Sequence, residues 1–136
     1  MARTESFRKQ HDDLALALQK IESMIKASPL NATELSQLLA SVAGKINMHL
    51  AMEDQSLYPA MLKSNNTKVV EAAKKFQAEM GGLKEVFVKF CQEWGIASKI
   101  SANEDGFRTQ MTGIIAALRK RVAKENTELY PLADQI

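Results

Sequence analysis

HLAMEDQSLYPAML, residues 49–62, returns seventy-two positions later as RVAKENTELYPLAD, residues 121–134. Leu57-Tyr58-Pro59 recurs as Leu129-Tyr130-Pro131 and Glu53 as Glu125, but His49 comes back as Arg121. His49 and Glu53 are four apart, which sets them on one helix face about one turn from each other. Working outward, apolar residues recur at helical spacing in four stripes. The first is Phe7, His11, Leu14, Leu18, Ile21, Ile25, and the second is Leu35, Leu39, Val42, Ile46, His49, Glu53, Leu57. The third is Phe76, Met80, Leu83, Phe87, Phe90, Trp94, and the fourth is Phe107, Met111, Ile114, Leu118, Arg121, Glu125, Leu129.

Asn31-x-x-Glu34 and Ser101-x-x-Glu104 read as capping boxes opening helices 2 and 4. Breaks fall at Ser28-Pro29, at Ser64-Asn65-Asn66-Thr67 and from Gly95 through Ser101. No strand pattern emerges. Short loops between long amphipathic helices predict an all-α, up-down-up-down four-helix bundle filling one domain, residues 1–136. The repeat includes the other helix pair. A shift of 69 lays Phe7 on Phe76, Leu14 on Leu83 and Leu18 on Phe87, and makes Met80 the counterpart of His11. Both histidines of the chain lie in the first copy.

Composition narrows the function. A formal charge of +2 with dispersed lysines, and few aromatics, argues against a nucleic-acid module. The opening MARTESFRKQH lacks the apolar run of a signal peptide, and no stretch is long and apolar enough to span a membrane, so a cytoplasmic setting without membrane attachment is expected. Cys91 stands alone, which leaves neither an internal disulfide nor a Cys-x-x-Cys metal site.

Histidine or glutamate on an inner stripe must find partners, because burying a lone charge costs several kcal/mol. At ~1.5 Å per residue, His11 and His49 both lie ~25 Å from the loop joining helices 1 and 2. Met80 and Arg121 match similarly across the loop between helices 3 and 4. All these positions therefore meet at one level of the bundle core. Imidazole and carboxylate together suit iron, zinc or manganese, and bundle cores are a common place to hold such ions. A metal-free hydrogen-bonded network is the competing reading.

These residues resemble the hemerythrin family of HHE cation-binding domains. The resemblance covers nearly the whole chain and rests on QHDDL in helix 1, His-x-x-x-Glu-x-x-x-Leu-Tyr-Pro in helix 2 and Glu-x-x-x-Leu-Tyr-Pro in helix 4. It implies a bundle core with two irons and a role in binding, sensing or handling dioxygen, nitric oxide or iron. One iron would take His11 and His49, and Glu53 and Glu125 would be the bridging carboxylates. The second iron would need histidines where this chain has Met80 and Arg121.

Half the family's centre is thus missing. A thioether is a poor ligand for ferric iron, and a guanidinium stays charged at any relevant pH and pairs with carboxylates in bidentate fashion. Glu53, Glu125 and Arg121 sum to −1 with neutral histidines. One divalent ion takes the sum to +1, two take it to +3, and a single histidine proton takes it to zero. The two-metal state is disfavoured; one-metal and metal-free states both stay open.

Two functions follow. In the first, one ion, most naturally iron, is held by His11, His49, Glu53 and Glu125 and serves oxygen, redox or metal sensing, with a diatomic such as dioxygen as partner. In the second, the domain carries no metal and acts as an interaction or regulatory module, with Arg121 paired to Glu53 or Glu125. Arg121 pointing outward into solvent is a third possibility. Enzyme chemistry is the weakest reading, since no nucleophile–base pair can be assembled, and nothing names a protein partner. Gly81-Gly82 in mid-helix either relaxes helix 3, admits a small ligand or a bulky neighbour such as Arg121, or reflects packing. Met48, Met52, Met80 and Met111 read as core filler. Tyr58 and Tyr130 read as helix-end anchors, with a radical or proton-donor role as the alternative.

Overall fold

A computed structural model describes residues 3–136. Its long helices are α1 (Glu5–Met24), α2 (Ala32–Met52), α4 (Thr67–Trp94) and α6 (Glu104–Lys124), with shorter α3 (Tyr58–Leu62), α5 (Ala97–Ala102) and α7 (Tyr130–Ala133). No strand occurs among the described residues, and no helix there is long and apolar enough to cross a membrane. α1 packs on α2 and α6, and α4 packs on the same two, which is the adjacency of the expected four-helix bundle.

Asn31 caps α2, accepting from the Glu34 amide at 3.1 Å and donating through its side chain to Glu34 at 3.2 Å. The cap expected at Ser101 does not form. Ser101 lies inside α5, and Asn103 caps α6 by accepting from the Gly106 amide at 3.0 Å. A Cβ on Gly106 would come within 3.0 Å of the Asn103 side chain, so the cap requires that glycine. Glu104 is left free to accept from the Leu30 amide at 3.1 Å. Arg108 donates to the carbonyls of Ile25 and Ala27, which satisfies orphan acceptors at the end of α1.

The regular pattern of α2 and α6 fails at one place in each repeat. Glu53–Leu57 and Glu125–Leu129 are π-helical, and the amides of Tyr58 and Tyr130 donate to the carbonyls of Glu53 and Glu125, five residues back. The cause is written in the motif. Pro59 and Pro131 lack the N–H that the preceding turn needs, and a proline ring clashes with the carbonyl four residues before it. A wider turn just ahead of the proline relieves that clash while the helix continues.

Two apolar clusters fill the bundle. One gathers Leu14, Leu18, Leu35, Leu39, Phe87, Phe107, Met111 and their neighbours; the other gathers Phe7, Leu57, Met61, Val69, Phe76, Leu129 and the two tyrosines. His11, His49 and Arg121 fall between members of the two clusters along their own helices, so the polar residues form one layer between two apolar blocks. Met48 departs from the expected core role, being 59% exposed, while Met80 and Met111 are buried.

Gly81 and Gly82 admit no bulky neighbour either. Both are exposed, and a Cβ on either would touch nothing within 4 Å. They lower the helix propensity of α4 without a steric reason. Gly81→Ala and Gly82→Ala should each raise stability by about 1 kcal/mol, read as a higher denaturant midpoint with unchanged slope.

Candidate metal centre

The layer is built from α1, α2, α6 and the two π turns. His11 is 3% exposed, Glu53 0%, Glu125 2% and Arg121 7%, and His49 lies at the partly open edge. Both imidazoles are oriented from behind. His11 Nδ1 stands 2.9 Å from Asn126 Oδ1, and His49 Nδ1 stands 2.6 Å from Gln10 Oε1. A carboxamide oxygen only accepts, so each Nδ1 carries its hydrogen and each Nε2 is turned inward.

Inside the layer the two Nε2 atoms lie 3.2 Å apart. Glu125 Oε1 is 2.8 Å from His11 Nε2 and 3.5 Å from His49 Nε2, and Glu53 Oε2 is 3.2 Å from His49 Nε2. Four lone-pair atoms thus crowd one spot, which is repulsive unless something positive lies between them. A proton or a metal ion can fill that role. Donors ~2.1 Å from one ion stand ~3.0–3.5 Å from each other, so the spacing suits an ion. His11, His49 and Glu125 alone supply three donor atoms within 4.8 Å of one another. Glu53 joins them through His49, and its Oε1 is buried without any hydrogen-bond partner. A buried carboxylate oxygen left without a partner is one that a bound ion would satisfy.

Arg121 points inward, which removes the solvent-facing alternative. Its Nε donates to Glu125 Oε2 at 3.0 Å, and Nη2 donates to the Phe76 carbonyl at 2.9 Å and to the Tyr58 hydroxyl at 3.3 Å. Its guanidinium also lies over the Phe76 ring at 4.7 Å. The pairing is with Glu125 and not with Glu53. Met80 contributes a wall: with Gln10, His11, His49, Arg121 and Glu125 it lines a cavity of about 30 Å³. That is room for a water or a diatomic molecule.

Sequence reading assigned Tyr130 too small a part. The hydroxyl is 2.8 Å from Glu53 Oε2, 3.2 Å from His11 Nε2, 3.3 Å from His49 Nε2 and 3.4 Å from Glu125 Oε1. A continuous α-helix would turn Tyr130 ~140° away from Glu125. The proline two residues into each Leu-Tyr-Pro was the available signal for the wider turn that brings it back.

Electrostatics follow from this geometry. Burial alone would pull His49 down, but its bonds to Glu125 and Glu53 outweigh that and hold it up at about 9. Burial would push Glu125 up, yet its bonds to the two histidines and the charge of Arg121 bring it down to about 2. Tyr130 and Tyr58 are pushed up, first by burial and then by the two carboxylates.

In the metal-free protein, a raised histidine stabilises the fold fully below its ordinary value of 6.5 and loses that contribution as pH climbs through about 9. The lowered Glu125 stabilises the fold above 4.5 and loses that contribution as pH falls through about 2. The two groups share one contact, so their contributions do not simply add. The denaturant midpoint of metal-free protein should therefore be highest between about pH 4.5 and 6.5 and fall towards pH 9. Arg121→Met should cost about 3–5 kcal/mol near neutral pH, because Glu125 loses its buried partner. A midpoint unchanged by that substitution would contradict the pairing.

Comparison with known proteins agrees with the architecture. No curated protein and no solved structure matches the chain. The family model of the hemerythrin HHE cation binding domain, however, matches residues 2–133. The chain belongs to the hemerythrin HHE cation-binding family.

Proposed function

We propose that the domain binds one metal ion, iron, through His11, His49, Glu53 and Glu125, and uses it to bind or sense a diatomic ligand such as dioxygen. The observation that carries this reading is the inward convergence of two imidazole Nε2 atoms whose Nδ1 atoms are already committed to Asn126 and Gln10. Such outer partners fix ring orientation and strengthen an imidazole as a ligand. Iron bound there supplies a redox-active centre with open positions, as two histidines and a carboxylate do elsewhere. The cavity beside Met80 offers space of diatomic size. Nothing in the layer resembles a nucleophile with its base, which favours binding or sensing over turnover.

Arg121 limits the occupancy. Its guanidinium holds Glu125 Oε2, the oxygen a second ion would need. A second reading has support of its own, since a proton on His49 with Arg121 on Glu125 brings the layer to zero charge without any metal. In that case the domain is a metal-free interaction or regulatory module.

Anaerobic reconstitution with ferrous iron, followed by elemental analysis, separates the two. About one ion per chain is expected, lost in His49→Ala. Protein that retains no iron would leave the metal-free module, and two tightly held irons would overturn the role given to Arg121. Met80→His combined with Arg121→His should add a second ion, because it frees Glu125 Oε2 from the guanidinium and supplies two imidazoles.

A further inference from the structure

We propose that Tyr130 is a fifth protein ligand of the ion, binding ferric iron as a phenolate. The inference rests on the one-ion reading and adds an anionic oxygen donor to it. A tyrosine that only anchored a helix end would need one acceptor, and Glu53 Oε2 at 2.8 Å provides it. The hydroxyl oxygen instead also faces His11 Nε2, His49 Nε2 and Glu125 Oε1 at 3.2, 3.3 and 3.4 Å. Among the described residues, no other side chain outside the four ligands approaches a donor atom of each of them. One hydroxyl hydrogen satisfies one acceptor. The remaining contacts set lone pair against lone pair, and a shared cation is what makes them favourable.

The repeat gives an independent reason. Tyr58, the counterpart of Tyr130, stands in the first copy but reaches the Arg121 side of the layer, where its hydroxyl oxygen accepts from Nη2 at 3.3 Å. Each tyrosine thus follows a π turn in one repeat and meets the positive group of the other. On one side that group is a guanidinium fixed by the chain. On the other it is the cation that His11 and His49 face.

Without an ion, burial and the two carboxylates keep the phenol neutral, so the phenolate forms only against a bound cation. Tyr130 is fully buried, its ring is stacked on His11 at 5.2 Å and packed against Phe7 at 6.0 Å, and the Arg8 guanidinium lies 5.3 Å from its centroid. Arg8 is held by Thr4 and by the Asn126 carbonyl within the second π turn. On binding, the O–H bond breaks and an iron–oxygen bond forms. The proton is released to solvent as the ion enters, which leaves Glu53 ionised.

Ferric iron delivered to the full chain as its nitrilotriacetate complex, with excess chelate removed, tests this. Elemental analysis counts the ion, and the visible spectrum with resonance Raman reads the ligand. The expected result is about one iron per chain, a visible charge-transfer band, and enhanced tyrosine ring vibrations that shift with ring-deuterated tyrosine. The band persists in Tyr58→Phe and disappears in Tyr130→Phe, whose ferric affinity falls by at least about 10-fold. The wild-type vibrations decide the question even if Tyr130→Phe folds poorly. One bound iron without tyrosine vibrations overturns the ligation and leaves the one-ion reading standing. A band that survives in Tyr130→Phe overturns the assignment. Failure to retain iron overturns the one-ion reading and this inference together.

Discussion

The carboxylate of Glu125 has one oxygen in each half of the molecule, and the polar layer is organised around that division. Oε2 belongs to Arg121 at 3.0 Å; Oε1 belongs to His11, His49 and Tyr130. A carboxylate buried to this depth is costly unless its lone pairs are matched. The Arg121 side is matched permanently, since a guanidinium does not lose its proton. The histidine side is matched only when a proton or a metal ion is present. One residue therefore joins a fixed charge to an exchangeable one, and the repeat has become unequal in function while staying equal in shape.

That equality of shape comes from the prolines. Each Leu-Tyr-Pro forces a π turn directly before it, because the helix cannot otherwise carry a proline ring past its preceding carbonyl. The wider turn closes from residue i to i+5, so Tyr58 and Tyr130 return towards Glu53 and Glu125. Irregular turns of this kind often accompany functional sites, and here the reason is mechanical. The same proline that widens the helix delivers a hydroxyl to the opposite half of the layer. Asn126, within the second π turn, orients His11.

Much of this was legible in the chain. The four stripes gave the bundle, and the polar residues on them gave His11, His49, Glu53, Glu125 and Arg121 at one level, because 3.6-residue periodicity survives translation from sequence to helix. What periodicity could not give lies where the period changes. Periodicity favours Tyr58 and Tyr130 as anchors over a radical or proton-donor role, since an unbroken α-helix turns them away. Gln10 and Asn126 were missed because a carboxamide on a polar face has no pattern that marks its target. Ser101 was read as a cap two residues too early, since Ile96 to Asn103 carries both loop signals and enough helix propensity for α5. Gly81-Gly82 suggested a close approach near the site, but they lie on the face that no neighbour covers.

Replacing a histidine by arginine does more than remove a ligand. A metal ion leaves when its concentration falls, and the carboxylates beneath it are then left to repel each other or to take up protons. Arg121 is covalently present in every folded copy, so half the charge compensation of the layer is supplied by folding itself. Its bonds to the Phe76 carbonyl and the Tyr58 hydroxyl tie α6 to α4 and to the turn after α2. The bundle can then stay closed with the histidine side holding only a proton. Loss of that proton removes compensation on the histidine side alone, while the Arg121 side stays matched.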